Sequence, residues 1–394
     1  MMAKEKVVLA FSGGVDTSFC VPHLQEKGYD VITLTVDSGG IAQDELKKIE
    51  ARSRELGAVK HIFADMKNEI YSDIISYTIK CNGLYEGIYP CMCADRFVIA
   101  KALADAAKRE GAAAVAHGCT GAGNDQVRID VTLACLNPQL KIIAPIRELG
   151  IKREEEIAYL EKKGFAVSKA SKKYTINENV FGRTVSGSEI DEGKEPGEEA
   201  WVLSKITKKE PEYVEIEFDS GVPVSLNGKK IEGIKLLEEA NKIAGSHGCG
   251  RVTYIEDEVI GIKGIQSFEA PGLLLLIRAH KALEKLTLTK KQLEIKRELD
   301  LKWADYNFSG LLYEPAVKDI QAFADSANQA VSGKVKVKLE TKCATVVEVN
   351  SSNTLIRKDI ASYAQKASWS GKDAEGFVKI YGMGQRIAGA RKKR

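Results

Sequence analysis

The residues best suited to chemistry are Ser12-Gly13-Gly14-Val15-Asp16-Thr17-Ser18, which follow directly on the apolar run 7–11. Glycines let a chain turn sharply and let an anion approach the backbone. A helix opening just after them adds unpaired N–H groups and the positive end of its dipole. The heptapeptide therefore reads as a phosphate cradle. It has neither the lysine of G-x-x-x-x-G-K-[ST] nor the spacing of G-x-G-x-x-G. Asp16 stands where a phosphate loop would carry positive charge, which makes sense if a divalent cation lies between the carboxylate and the phosphates. The alternative is an ordinary strand-to-helix turn capped by Ser12 or Asp16.

A second cluster, His117-Gly118-Cys119-Thr120-Gly121-Ala122-Gly123-Asn124-Asp125-Gln126-Val127-Arg128, combines three backbone-exposing glycines with polar side chains. Thr120, Asn124, Asp125 and Arg128 suit a zwitterion, with its carboxylate on Arg128 or backbone N–H and its ammonium on Asp125. A turn with an Asn-Asp helix cap is the alternative. Arg96 could neutralise phosphate charge, against the reading of an exposed surface arginine. His117 and His247 read as structural. Cys91 and Cys93 have one residue between them, and no C-x-x-C pair elsewhere completes a metal site.

These clusters need a frame. Strand-length apolar runs fall at 7–11, 31–36, 61–64, 113–116 and 142–146, with helical patterns at 17–27, 43–56, 68–80 and 95–110 between them and at 152–163 after them. Such alternation predicts a doubly wound parallel sheet with helices on both faces, and ligands in such sheets sit outside the carboxyl ends of the strands at a topological switch point. Pro22 is expected to kink the first helix. The polar stretch 186–200 reads as a surface loop. Beyond it the pattern is α+β, with strands at 213–218, 252–255, 259–263, 334–340 and 344–350 and helices at 235–244, 271–285 and 316–330. A last helix, from Asp373 onward, lacks an apolar face able to pack alone. The expected division is 1–170, 171–365 and 366–394.

Bulk composition sets outer bounds. The chain has 394 residues, 44% hydrophobic and 29% charged, ordinary for a globular protein. Its net charge of +3 is outweighed by the four positive charges of 391–394, so the body is near neutral and has no broad basic footprint for nucleic acid. That tail reads as a solvated end. The longest apolar run, 273–277, is far too short to span a bilayer. Without a charged-then-apolar export segment at the start, the eight cysteines read as reduced thiols and the expected location is cytoplasmic.

Taken together, S-G-G-x-D-T-S and H-G-x-T-G-x-G-N-D-Q-V-R resemble the argininosuccinate synthase family of N-type ATP pyrophosphatases. The likeness continues at 85–89, Tyr174-Thr175, 179–188, 256–271 and 372–380, and so spans essentially the whole chain. It implies an α/β nucleotide-binding domain, an α+β synthetase domain and a C-terminal oligomerisation helix. It also implies ATP-dependent ligation of citrulline and aspartate through a citrullyl-adenylate, with Mg²⁺ accompanying ATP, in a homotetramer that binds neither nucleic acid nor membrane. Residue by residue, it places ATP on Ala10, Phe11, Ser12, Gly13, Gly14, Val15, Asp16, Thr17, Ser18, Val36 and Gly118. Aspartate falls to Thr120, Asn124 and Asp125. Citrulline falls to Tyr89, Cys93, Asn124, Arg128, Thr175, Thr184, Glu256 and Phe268. Asp16 and Arg96 would serve catalysis, and Asp16 would face the Mg²⁺. The chain departs from the family pattern after Tyr89, where a Thr-Ser pair falls on Met92 and Cys93, and at Phe268, where the family has tyrosine. A modified citrulline as acceptor, another N-type ATP pyrophosphatase, and a non-catalytic nucleotide-binding homologue are the alternatives.

Overall fold

The computed structural model describes residues 4–167, 173–364 and 366–391. Its first part runs β1 (Lys6–Ala10), α1 (Val15–Glu26), β2 (Asp30–Asp37), α2 (Gln43–Glu55) and β3 (Lys60–Asp65). It continues with α3 (Lys67–Ile70), a widened helical turn at Tyr71–Ile75, α4 (Ser76–Lys80), α5 (Asp95–Glu110), β4 (Ala114–Ala116), α6 (Asp125–Leu136), β5 (Lys141–Ile143), α7 (Pro145–Leu149) and α8 (Arg153–Lys162). The strands form a parallel sheet in the order β3-β2-β1-β4-β5. Alternate residues of a strand face opposite sides. Val7 and Leu9 accordingly join Phe19, Leu24, Ile49 and Leu160 on one face, while Val8 joins Leu103, Ala107, Ile129 and Leu133 on the other. The order reverses between β1 and β4, and the loops leaving their carboxyl ends are Phe11–Gly14 and His117–Asn124.

Several expected bounds shift for local reasons. The strand expected over 142–146 stops at Ile143, because Pro145 at the first helical position opens α7. The helix expected over 68–80 is interrupted by the widened turn at Tyr71–Ile75. α1 runs on past Pro22 to Glu26, so the proline does not break it. Helix α6 was hidden behind the polar glycine cluster that precedes it.

The second part runs β6 (Thr175–Asn179), β7 (Gly182–Ser186), β8 (Glu212–Asp219), β9 (Val222–Leu226), β10 (Lys229–Lys230) and α9 (Gly233–Ser246). Then come β11 (Arg251–Asp257), β12 (Lys263–Glu269), α10 (Pro271–Thr287), α11 (Lys290–Phe308), α12 (Pro315–Asn328), β13 (Gly333–Glu340) and β14 (Cys343–Asn350). Two antiparallel sheets result, ordered β10-β9-β8-β13-β14 and β11-β12-β7-β6. The strand expected over 259–263 is instead the turn before β12: Gly261, at φ +84, donates to the Glu258 carbonyl at 2.7 Å. The polar stretch 186–200 gives Ser186 to β7 and buries Ile190 and Ala200. A two-residue pairing of β15 (Ala361–Ser362) with β16 (Lys366–Ala367) precedes α13 (Gly371–Tyr381) and α14 (Met383–Gly389), helices with no buried residue. The division expected at 170/171, Gln365 and residues 392–394 of the basic tail lie outside the described residues.

A buried ion cluster ties α4, α10 and α11 together. Lys296, 1% exposed, lies 2.8 Å from both Glu284 and Asp300 and donates to the Lys80 carbonyl at 2.6 Å. Asn82 donates to both carboxylates, at 2.8 and 3.0 Å. Removing one partner of a buried pair leaves the others uncompensated. Lys296→Met is therefore expected to lower unfolding free energy by about 3–5 kcal/mol in urea titration; a loss under about 1 kcal/mol would contradict this role.

Candidate functional site

The glycine loop is closed by its own side chains. Thr17 Oγ1 donates to the Gly14 carbonyl and accepts from Ser12 N–H, each at 3.3 Å, and Gly14 N–H donates to Ser12 Oγ at 3.3 Å. Gly13 has φ +75, a region side chains disfavour. Gly14 occupies the N-cap position of α1 with no side-chain cap, so neither Ser12 nor Asp16 caps the helix. Ser18 and Phe11 are buried, whereas the Asp16 side chain remains 41% exposed. Among the described residues its ion pair is with Arg153 of α8, at 3.5 Å. Beneath it lies Glu156, 3% exposed, whose carboxyl pKa is pushed up to about 8 by burial and by the charge of Asp16. Gly118 brings the second loop against the first. A Cβ there would stand 3.2 Å from Thr17 Cγ2, a tight contact that glycine avoids.

That second loop ends in a polar cavity of about 160 Å³ between the parallel sheet and the β11-β12-β7-β6 sheet. Its walls include Asn124, Asp125 and Arg128 from the start of α6, Tyr89 and Cys93 from the segment before α5, and Arg96 from α5. The antiparallel sheet supplies the opposite wall. Thr175 pairs with Ser186 and Asn177 with Thr184 across β6 and β7, and Glu256 and Gln266 come from β11 and β12. Asn124 Oδ1 accepts from Val259 N–H at 3.1 Å, and Asn179 Nδ2 donates to the Met92 carbonyl at 2.8 Å. Both bonds fasten the two walls together.

The cavity is electrically two-ended. At one end Arg96 donates to Asp95 at 2.7 and 2.8 Å and to Asp125 at 2.8 Å, while Arg128 donates to Asp125 at 3.0 Å. Burial alone would raise the Asp125 pKa, but the two guanidiniums outweigh it and hold the carboxyl below its usual range. Arg128 is fixed further by its Nε–H on the Phe308 carbonyl, at 2.8 Å, and by its position 4.7 Å over the Phe308 ring. At the other end Glu256 is 1% exposed, and burial raises its pKa. Cys93 is a thiol, its pKa pushed up to about 11 by burial, and so a poor nucleophile.

The structure brings together most of the residues that the sequence reading assigned to citrulline and aspartate, together with Arg96. Tyr89, Cys93, Arg96, Asn124, Asp125, Arg128, Thr175, Thr184 and Glu256 all line this one cavity. Arg96 is no loose surface arginine, since its donors are committed to Asp95 and Asp125. Phe268 does not line the cavity. Fully buried, it meets Tyr89 and Tyr254 edge-on at 5.4 and 5.6 Å and forms the packing behind them. Thr120 is exposed on the preceding loop. His117 bonds Asp130 at 2.7 Å and His247 bonds Glu212 at 3.1 Å, both in structural settings. Among the described residues no group of three His, Cys, Asp or Glu side chains is arranged to hold a metal ion.

The chain that builds this glycine loop and cavity matches a known family along its length. The arginosuccinate synthase N-terminal HUP domain matches residues 6–166, and the arginosuccinate synthase C-terminal domain matches residues 174–388. The chain is 44% identical over 392 residues to an argininosuccinate synthase of Methanocaldococcus jannaschii, covering 98% of each. The chain belongs to the argininosuccinate synthase family. Relatives of that name from Synechococcus elongatus and Pyrococcus furiosus are 44% and 43% identical, over 97% and 96% of this chain and 97% and 93% of theirs.

Set against that family, four lining residues escaped the sequence reading: Asn177, Ser186, Gln266 and Phe308. Asn177 and Ser186 sit on β6 and β7 and Gln266 on β12, outside the strands expected from the sequence. The fourth closes a helix whose charged surface masks its period.

Proposed function

We propose that the chain is an ATP-dependent C–N ligase that joins citrulline and aspartate to give argininosuccinate, AMP and pyrophosphate. The observation that carries this reading is the two-ended cavity built onto the loop that abuts the glycine cradle. It offers arginine to a carboxylate and an unneutralised carboxylate to an ammonium, which is what an amino-acid substrate needs. In this reading magnesium–ATP is a substrate. Backbone and hydroxyl groups from Ala10 to Ser18 take its phosphates and ribose, Val36 the adenine and Gly118 the adjoining edge. Asp16 fits the cation, because a half-exposed carboxylate at the loop mouth is a suitable hard ligand.

The ureido oxygen of citrulline then attacks the α-phosphorus. The bond to the β-phosphate oxygen breaks, and pyrophosphate leaves with both electrons. The aspartate amine attacks the activated carbon, AMP departs, and the nitrogen loses its proton. Neither step needs a covalent bond to the protein, and holding the reactants side by side between the two sheets would supply the in-line geometry. Arg128, Glu256, Tyr89, Asn124, Thr175, Thr184 and Cys93 serve citrulline, with Phe268 behind Tyr89. Thr120, Asn124 and Asp125 serve aspartate, and Arg96 offsets phosphate charge. Helices α13 and α14, which expose Phe377, Val378, Ile380, Tyr381 and Ile387, are read as the arm that joins copies of the chain into a tetramer. The enzyme is placed in the cytoplasm.

Pyrophosphate release tests this reading. Sustained release is expected only with ATP, citrulline and aspartate together. No release with all three would sink it.

A further inference from the structure

The antiparallel wall carries a feature that substrate assignment alone does not explain. Strands β11 and β12 pair in antiparallel register, with Tyr254 opposite Gln266 and Val252 opposite Phe268. Residues two apart share a face of the sheet, so Tyr254 lies beside Glu256 and Gln266 beside Phe268. Both members of the Tyr254–Gln266 pair reach the same carboxylate. The Tyr254 hydroxyl donates to Glu256 Oε2, and Gln266 Nε2 donates to Glu256 Oε1 at 2.7 Å. Tyr254 is itself locked in place, stacked on Tyr89 at 5.6 Å with an interplanar angle of 16° and met edge-on by Phe268 at 5.6 Å.

The contrast with the far end of the cavity is one of charge. Asp125 is held by two guanidiniums, which cancel its charge as they orient it. Glu256 is held by a phenol and an amide, which orient it and cancel nothing. No Lys, Arg or His lies within 4 Å of Glu256 among the described residues. A carboxylate has about four acceptor directions, so two remain for a ligand. Resting on the proposed ligase reading, we infer that Tyr254 and Gln266 are positioning residues: two uncharged donors that aim Glu256 into the cavity with its charge intact. The site thereby selects an acceptor with a free cationic amino group over one whose amine is acylated.

The pair should matter most to the amino-acid end of the acceptor. Losing a hydrogen bond to a charged group weakens binding by about 10-fold or more. Tyr254→Phe and Gln266→Met are each expected to raise the citrulline KM by about 10-fold, with the KM for ATP and for aspartate unchanged. Tyr254→Phe should also move the acidic limb of kcat/KM for citrulline to higher pH. The Tyr254 hydrogen bond holds the Glu256 pKa down against burial, Arg128 also lowers it, and Glu258 and Glu86 raise it. A residue that merely filled space would leave that limb where it is. Phe268→Tyr, placed in the Tyr254→Phe background, offers a phenol from the ring that touches both Tyr89 and Tyr254, and is expected to recover part of the lost affinity. Acetylation of the citrulline α-amine should cost wild-type protein far more than it costs Tyr254→Phe. Equal KM values in wild type and both single variants, or equal use of citrulline and N-acetylcitrulline by wild type, would overturn the assignment. Wild-type protein without any citrulline-dependent turnover would remove the ligase reading itself and this inference with it.

Discussion

Asp16→Ala protein is expected to retain ATP but to release pyrophosphate at least about 100-fold more slowly. The side chain sits at the open mouth of the glycine loop, half exposed, while the loop's own hydrogen bonds run through Ser12, Thr17 and Ser18 and do not involve it. Deleting it therefore leaves the cradle intact. On the proposed reading, what it removes is the carboxylate that would hold the magnesium ion offsetting charge on the leaving oxygens. On the same reading the nucleotide's ground-state contacts would be made chiefly by backbone N–H groups, so the dissociation constant for ATP measured by calorimetry should stay within about 3-fold. The loss should fall on kcat, because the interaction strengthens only in the transition state. Loss of ATP binding in proportion to turnover would show that Asp16 holds the ground state instead.

Arg128→Met should be comparably severe but different in kind. Arg128 is 4% exposed, and its guanidinium serves three purposes at once: the Phe308 carbonyl, Asp125 and the cavity. Its removal takes away a charge-assisted donor for the acceptor's carboxylate and leaves Asp125 with Arg96 as its remaining guanidinium partner. Together these are expected to lower kcat/KM for citrulline by about 100-fold to 1,000-fold, with most of the change in KM. Arg128→Lys should recover little. A single ammonium cannot donate to Phe308 and Asp125 in the fork geometry and still present a donor to substrate. Steady-state kinetics with citrulline varied at saturating ATP and aspartate would measure this; a lysine variant within 5-fold of wild type would contradict the fork argument.

What could be read in the sequence was local. Ser12–Ser18 declared itself because a glycine turn between an apolar strand and a helix is a short-range pattern, and Asn124, Asp125 and Arg128 because their side-chain chemistry is dense. The α/β alternation of the first part was legible for the same reason. Helix α11 was not: its buried face mixes Lys296, Asp300 and Asn307 with Leu293, Trp303, Ala304 and Phe308, so buried polar residues interrupt its apolar period. The β6–β7 wall was hidden for another reason: Thr175-Ile176-Asn177 and Thr184-Val185-Ser186 do alternate polar with apolar, but in strands of only five residues each, beside a polar stretch that reads as a loop. Phe268 was placed in the cavity by likeness alone. Its edge-on packing against Tyr89 and Tyr254 is a long-range fact that no spacing encodes. The strand expected at 259–263 failed because an apolar run bridged a hairpin turn, which only Gly261 marked.

The walls of the cavity come from residues 89–96, 124–128, 175–186 and 256–266, and from Phe308, so no single folding unit contains it. Specific hydrogen bonds fasten its halves over their shared packing, among them Ser38 to Val180, Met92 to Asn179, Tyr85 to Asp257, Asn124 to Val259 and Arg128 to Phe308. A molecule bound there touches both sheets and works as a temporary crosslink between them. Whatever breathing separates the sheets must first release the occupant, and whatever binds slows that breathing. Solvent exchange at the amides of Val180 and Val259 should therefore report occupancy of a cavity they do not line.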